Sequence, residues 1–310
     1  MENFKEFTFP SSDGEHQIFC SMWLPEGQPR GVIQIVHGIS EYVGRYDEMA
    51  RFFTSHGFVV CGDDHLGHGR TAQQDDRFGV FAKHDGWTLV TADVRQLRRT
   101  VGEQYPGIPY FLLGHSMGSF LTRTYLCRYP GEVDGALLSG TGQTSSHLLS
   151  VGRFLTSALS RLKGYDYTSP LIHTLSMGAY NRQFAPNRTD SDWTTRDESV
   201  VDKYQSDPLC HHMPTVSLYH DMMGGLQYIS NRRALSQMDP DTPIYIYSGD
   251  QDPVGGMGEG VKKVAQEFVA AGVRNTVFRL HAKDRHEVFN EEDRLEAYAE
   301  VIQWMDEQTR

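Results

Sequence analysis

The chain has no window near the ~18 consecutive apolar residues that a membrane-spanning helix needs, so no integral helical membrane protein is expected. It is also short of positive charge, with 29 Lys and Arg against 40 Asp and Glu and a formal net charge of −11. That balance argues against general affinity for nucleic acid or anionic surfaces and leaves neutral substrates open. Cysteine is scarce: Cys20, Cys61, Cys127 and Cys210 are scattered and form no C-x-x-C pair. Three of them sit in apolar segments where a thiol behaves as a small hydrophobe, and reduced thiols are expected. Residues Met1 to Glu6 carry neither a basic stretch nor an apolar run, so no signal peptide is expected and the cytoplasm is the expected location. No G-x-G-x-x-G, P-loop, internal repeat or low-complexity tract occurs. Asp63-Asp64-His65-Leu66-Gly67-His68-Gly69 lacks the H-E-x-x-H spacing of a zinc site and reads as a tight loop whose polar groups bond backbone. No cofactor and no metal is indicated.

What is present is enough to bury a core: 39% of the 310 residues are hydrophobic and 16 are Phe. Apolar runs at 4–9, 17–24, 31–36, 57–61, 110–113 and 133–139 read as strands, with helical patterns at 46–56, 87–103 and 120–129. Alternation of this kind implies a mostly parallel sheet flanked by helices. The rhythm breaks between 143 and 212, where no strand is evident. Leu148, Val151, Leu155, Ala158, Leu159 and Leu162 recur there at helical spacing. Such a stripe normally packs against neighbouring helices, although an acyl-tunnel lining or a lipid contact is also open to it. Strand and helix then resume at 243–247, 258–271, 276–280 and 291–308. The expected organisation is a core from 1–142 and 213–310, with a mainly helical cap inserted at 143–212.

The decisive stretch is Gly114-His115-Ser116-Met117-Gly118, between an apolar run and a helical pattern. Serine between two glycines at a strand-to-helix turn is a nucleophile elbow. A nucleophilic serine needs a base to take its proton and a carboxylate to orient that base. On an α/β sheet these follow the serine in chain order, on loops at the strand ends. Asp252 lies in the loop after the strand at 243–247, and His286 lies between the last strand and the last helix. Asp250 is the runner-up carboxylate. His281 is the rival base, but it continues a strand rather than a loop. Two backbone N–H donors must meet the developing oxyanion. Met117 follows the nucleophile, and Ile39 lies in the loop after Val36, where Gly38 permits close approach. His37, Gly38 and His115 complete the set expected to touch substrate.

The chain resembles the monoacylglycerol lipase and lysophospholipase branch of the α/β-hydrolases. The resemblance rests on His37-Gly38-Ile39-Ser40-Glu41-Tyr42 with Arg45-Tyr46, on Asp64-His65-Leu66-Gly67-His68-Gly69 and on the elbow. It continues through Gly249-Asp250-Gln251-Asp252-Pro253-Val254 and Arg285-His286-Glu287-Val288-Phe289-Asn290-Glu291. All fall in the family's order and cover nearly the whole chain. The resemblance implies a capped hydrolase core, the same three catalytic positions and oxyanion amides at Ile39 and Met117. Ile39 departs from the smaller residue usual in the mammalian-type pattern. The expected activity is serine-dependent hydrolysis of monoacylglycerol-like or other small acyl esters, with at most transient contact with lipid assemblies. A peptidase or thioesterase using the same triad, or a non-enzymatic ligand-binding protein on this scaffold, is the alternative. Oligomeric state is not legible in the sequence.

Overall fold

A computed structural model describes residues 3–308. Among these residues, short runs mostly rich in β-branched, aromatic and other apolar residues form eight strands: β1 (Phe4–Pro10), β2 (Gln17–Trp23), β3 (Gly31–Val36), β4 (Phe58–Asp63), β5 (Tyr110–His115), β6 (Gly135–Ser139), β7 (Ile244–Gly249) and β8 (Thr276–His281). They make one sheet in the order β1-β2-β4-β3-β5-β6-β7-β8. β1–β2 and β2–β4 are antiparallel and the remaining pairs are parallel. Every residue of β3 to β7 is buried, as expected of strands covered on both faces.

Among the described residues eleven α-helices accompany the sheet: α1 (Asp47–Ser55), α2 (Gly69–Gln73), α3 (Gly86–Gln104), α4 (Met117–Arg128), α5 (Ser146–Lys163), α6 (Pro170–Leu175), α7 (Glu198–Ser206), α8 (Val216–Ile229), α9 (Arg232–Leu235), α10 (Glu259–Ala271) and α11 (Arg294–Gln308). Side-chain alternation divides the core in two. Val32, Val36, Leu112 and Leu138 face one side with residues of α3, α4, α8 and α10. Ile33, Ile35, Leu113 and Leu137 face the other with residues of α1 and α11. At about 1.5–3 kcal/mol for each fully buried aliphatic side chain, these two layers hold the strand ends, and therefore the loops above them, in place.

The chain passes from β3 to β4 on one side and then crosses to β5 on the other. β3 and β5 are therefore adjacent, with Val36 paired to Gly114. Ligands on such sheets bind beyond the carboxyl ends of the strands, where the strand order reverses.

The helix at 146–163 forms, but most of its apolar stripe faces outward, with Ala158 and Leu159 half-buried. Leu148, Val151, Phe154, Leu155 and Leu162 are exposed, Phe154 at 73% and Leu162 at 79%. The buried residues of α5 are Leu149 and Thr156. The opposite, polar face meets α8 instead. Arg153 donates to Gln227 Oε1 at 2.8 Å and lies 3.2 Å from His220 Nε2, and a Cβ on Gly152 would lie 2.5 Å from Met223 Sδ. The hydrogen bonds to α8 and the close approach at Gly152 turn the helix polar side inward. α8 in turn packs on α4 and α3, linking the inserted helices to the core. Among the described residues, no helix is long and apolar enough to cross a membrane.

Candidate active site

β5 ends at His115, and Ser116 then adopts φ 53° and ψ −122° before α4 begins. A non-glycine residue in that region is strained and persists only where its surroundings over-determine it. The glycines on either side are the means. A Cβ on Gly114 would lie 2.4 Å from Thr122 Oγ1 and 2.5 Å from the Gly118 carbonyl oxygen, and one on Gly118 would lie 1.8 Å from the Val36 carbonyl oxygen. The Ser116 N–H donates to the Ser139 carbonyl at 2.9 Å. The turn thus presses the start of α4 onto the end of β3 and points Ser116 into a pocket that it shares with Gly38, Ile39, His115 and His286.

His286 stands on the loop after β8, buried. Its Nδ1 lies 3.0 Å from Asp252 Oδ1. Asp252 is fully buried and also accepts from the Val254 N–H at 2.9 Å and from the Ser248 hydroxyl at 3.2 Å. That pairing assigns the Nδ1 proton to the Asp252 side and leaves Nε2 as the free acceptor. Burial works against the imidazolium, but the Asp252 carboxylate, with Glu287 and Glu41 behind it, holds the His286 pKa above its ordinary value. The neighbouring His115, ring centroid 4.8 Å away, behaves oppositely. Burial and the His286 charge push it down to about 3, so it stays neutral. No hydrogen bond joins Ser116 Oγ to His286 in this state; such bonds commonly tighten only with substrate present.

The runner-up residues lie elsewhere. Asp250 Oδ1 accepts from the Lys283 N–H at 2.7 Å and ties the loop after β7 to the loop after β8. His281 sits 3.2 Å from Glu300 on the edge strand.

Ile39 lines the same pocket, and Met117 follows Ser116 as the first residue of α4. Among the described residues, neither backbone N–H is committed to a hydrogen bond. His37 does not reach the pocket, contrary to the expectation that it touches substrate. Its ring is fully buried, with Nδ1 2.7 Å from the Gly38 carbonyl oxygen and Nε2 accepting from the His65 N–H at 3.0 Å. It stacks on His65 at 3.9 Å, and burial, with His65 and His68 alongside, lowers its pKa well below the ordinary value. Both nitrogens are committed to backbone, so the residue shapes the loop. Gly38 and His115 do line the pocket.

Several pocket residues received no role from the sequence. Trp193 lies with its ring 5.0 Å from His286, and Glu41, Arg45, Tyr204 and Glu287 stand in the same wall. Signals were legible for some of them: Glu41 and Arg45 stand four residues apart with opposite charge, and Glu287 directly follows His286 in the motif from Arg285 to Glu291. The segment carrying Trp193 is fastened to the histidine loop. Arg196 bonds Asp284 at 2.7 Å and Glu291 at 3.0 Å, and the Glu287 N–H donates to the Thr194 carbonyl at 2.7 Å. The pocket over Ser116 encloses only about 20 Å³. It adjoins a chamber of about 450 Å³ through shared residues Met177, Trp193, Thr194 and Tyr204.

Among the described residues no cluster of His, Cys, Asp and Glu is placed to hold a metal. The Asp63–Gly69 segment is a backbone-bonding loop: Asp64 accepts from the Val43 N–H at 3.0 Å and the Arg70 N–H at 2.9 Å.

The chain is similar to known proteins. The family model described as Serine aminopeptidase, S33 (Hydrolase_4) matches residues 27–293. A protein named monoacylglycerol lipase from Mycolicibacterium smegmatis is 28% identical over 94% of this chain and 94% of its own length. The monoglyceride lipase of Rattus norvegicus is 33% identical over 65% of this chain, a match that spans 59% of the rat protein. The crystal structure of a thermostable carboxyl esterase from Bacillus coagulans, in complex with glycerol, superimposes with TM-score 0.93 at 30% identity, covering 100% of both chains.

Proposed function

The chain belongs to the Serine aminopeptidase S33 (Hydrolase_4) family of α/β-hydrolases, and from that premise we propose that it is a serine carboxylic ester hydrolase acting on monoacylglycerol-like or other small acyl esters. The observation that carries the reading is the buried Asp252–His286 pair facing the pocket into which the Ser116 elbow opens.

Ser116 Oγ attacks the acyl carbonyl while His286 Nε2 takes its proton. The N–H groups of Ile39 and Met117 receive the oxyanion. As the tetrahedral intermediate collapses, His286 gives the proton to the departing alcohol and an acyl-enzyme remains. Water then attacks the acyl group, loses its proton to His286, and a second collapse returns that proton to Ser116 and releases the acid. Asp252 holds the imidazole in the required tautomer and offsets its charge in both steps. The adjoining chamber lies within the usual size range of small-molecule sites and supports binding of a small acyl or alcohol group.

The relatives named as lipases and the glycerol-bound esterase support the ester reading. An aminopeptidase must also hold a free ammonium. The acids bordering the pocket, Glu41 and Glu287, are both engaged by Arg45, which favours neutral esters. We take 143–212 as the cap over a core built from 1–142 and 213–310. The outward apolar face of α5, ending in Arg161 and Lys163, supports transient contact with lipid assemblies. Four buried, unpaired cysteines support a cytoplasmic setting.

The test is a panel of p-nitrophenyl and monoglyceride esters of graded chain length, beside an aminoacyl p-nitroanilide, together with fluorophosphonate labelling. Ester turnover and labelling are expected in the native protein. Ser116→Ala should abolish labelling, and Ser116→Ala and His286→Ala should each lower turnover by about 10^4- to 10^6-fold. Labelling that persists in Ser116→Ala refutes the assignment.

A further inference from the structure

The oxyanion donor on Ile39 and the base on His286 come from opposite ends of the chain, yet one side chain reaches both loops. Arg45 donates to Glu41 Oε2 at 2.6 Å and to Glu287 through two bonds of 3.2 and 2.8 Å. Glu287 is covalently next to His286, and its carboxylate also accepts from Asn290 Nδ2 at 2.7 Å. Glu41 Oε1 accepts from the Gly38 N–H at 2.6 Å and from the Tyr46 hydroxyl at 2.9 Å. Tyr204 of α7 covers the guanidinium at 4.8 Å.

The consequence for Ile39 follows from peptide planarity. The Gly38 carbonyl and the Ile39 N–H belong to one trans peptide and point in opposite directions. His37 Nδ1 holds the carbonyl from one side, and Glu41 holds the preceding N–H of Gly38. Both peptides flanking Gly38 are therefore fixed by side chains, which sets the direction of the Ile39 N–H. A carboxylate in so buried a place needs a counter-charge. Among the described residues Glu41 is ion-paired with Arg45 alone, and the same fork steadies the residue beside the base.

We propose that Arg45 is a positioning residue that couples the oxyanion loop to the histidine loop, so that the donor and the base are held in register for the transition state. This rests on the serine-hydrolase reading above. Its distinguishing signature is an effect on the transition state without an effect on ground-state binding. A guanidinium fork, planar and bidentate, suits two carboxylates at once, whereas a lysine ammonium is a single point.

The experiment measures kcat and KM for p-nitrophenyl butyrate in wild type, Arg45→Met and Arg45→Lys, each normalised to sites titrated by fluorophosphonate. Inhibition by a trifluoromethyl ketone is measured alongside, because its tetrahedral adduct uses the Ile39 N–H. Arg45→Met is expected to lower kcat per labelled site by about 10- to 100-fold, as a misplaced oxyanion donor does. KM should stay within about twofold, the ketone inhibition constant should rise with the fall in kcat, and Arg45→Lys should recover part of the loss. Unchanged kcat per labelled site overturns the proposal. So does an effect confined to KM, or a ketone constant that does not follow kcat. If Arg45→Met does not fold, Glu287→Gln, which removes one carboxylate charge from the fork, carries the same test with a smaller expected effect. Absence of labelling in the wild type would count against the hydrolase reading itself, not against the role of Arg45.

Discussion

Gly118→Ala tests how tightly the elbow is built. The added Cβ would stand 1.8 Å from the Val36 carbonyl oxygen and 2.6 Å from that of His37. An ordinary contact is about 3.4 Å, so backbone must retreat by roughly 1.5 Å, and no side-chain rotation can relieve it. Overpacking of this kind costs about 1–3 kcal/mol when the surroundings can shift. Here the neighbour that must shift is the end of β3, immediately before Gly38 and Ile39. Moving Ile39 N–H by an ångström or more should lower kcat/KM by about 100-fold or beyond, as the loss of an oxyanion donor does. The assay is ester turnover beside a thermal melt, with Gly224→Ala as control. There the new methyl meets nothing nearer than 3.6 Å, and the helical site should gain slightly from alanine. Wild-type kcat/KM in Gly118→Ala would refute the claim that contact between the α4 start and the β3 end sets the oxyanion geometry.

Asp252→Asn should lower kcat by about 10^3- to 10^4-fold through loss of the imidazole tautomer, whereas Asp250→Asn should leave turnover near wild type; the reverse outcome would move the carboxylate role to Asp250. The pH dependence of kcat/KM should show an acidic limb above the ordinary histidine value of about 6.5. His286 acts as base only when neutral, and despite burial the Asp252 charge, with Glu287 and Glu41, raises its pKa, while His115 beside it stays uncharged and Arg45 offsets the two glutamates. Asp252→Asn should shift whatever activity remains to a lower limb, and an unmoved limb would show that another group controls it.

Much of the fold was legible because its signals are local. The runs at 31–36 and 110–113 could be little other than buried strands, and the helix at 87–103 carried its own period. The elbow was legible from its local pattern, although only Gly114 answers to atoms close by in the chain, at Gly118 and Thr122; Gly118 answers to Val36 and His37 at the end of β3. The face that α5 presents was not. Periodicity says which side of a helix is apolar, and Leu148, Phe154 and Leu162 do line one side. It does not say which side is buried, and that depended on Arg153 and Gly152 meeting α8. His37 misled in a similar way. A histidine beside the oxyanion glycine looks poised for substrate, but both of its nitrogens were claimed by backbone at Gly38 and His65.

The amino-acid order by itself determined the sheet, the insertion and the chemical type of each candidate catalytic group, because strand burial, turn sterics and loop order are written in neighbouring residues. Only the folded chain decided what stands beside them. Trp193 against His286, Arg45 between Glu41 and Glu287, and Arg196 across the histidine loop join segments up to 242 positions apart. Charge pairing and close packing over such separations depend on where the backbone brings side chains in space, and spacing along the chain carries no record of that.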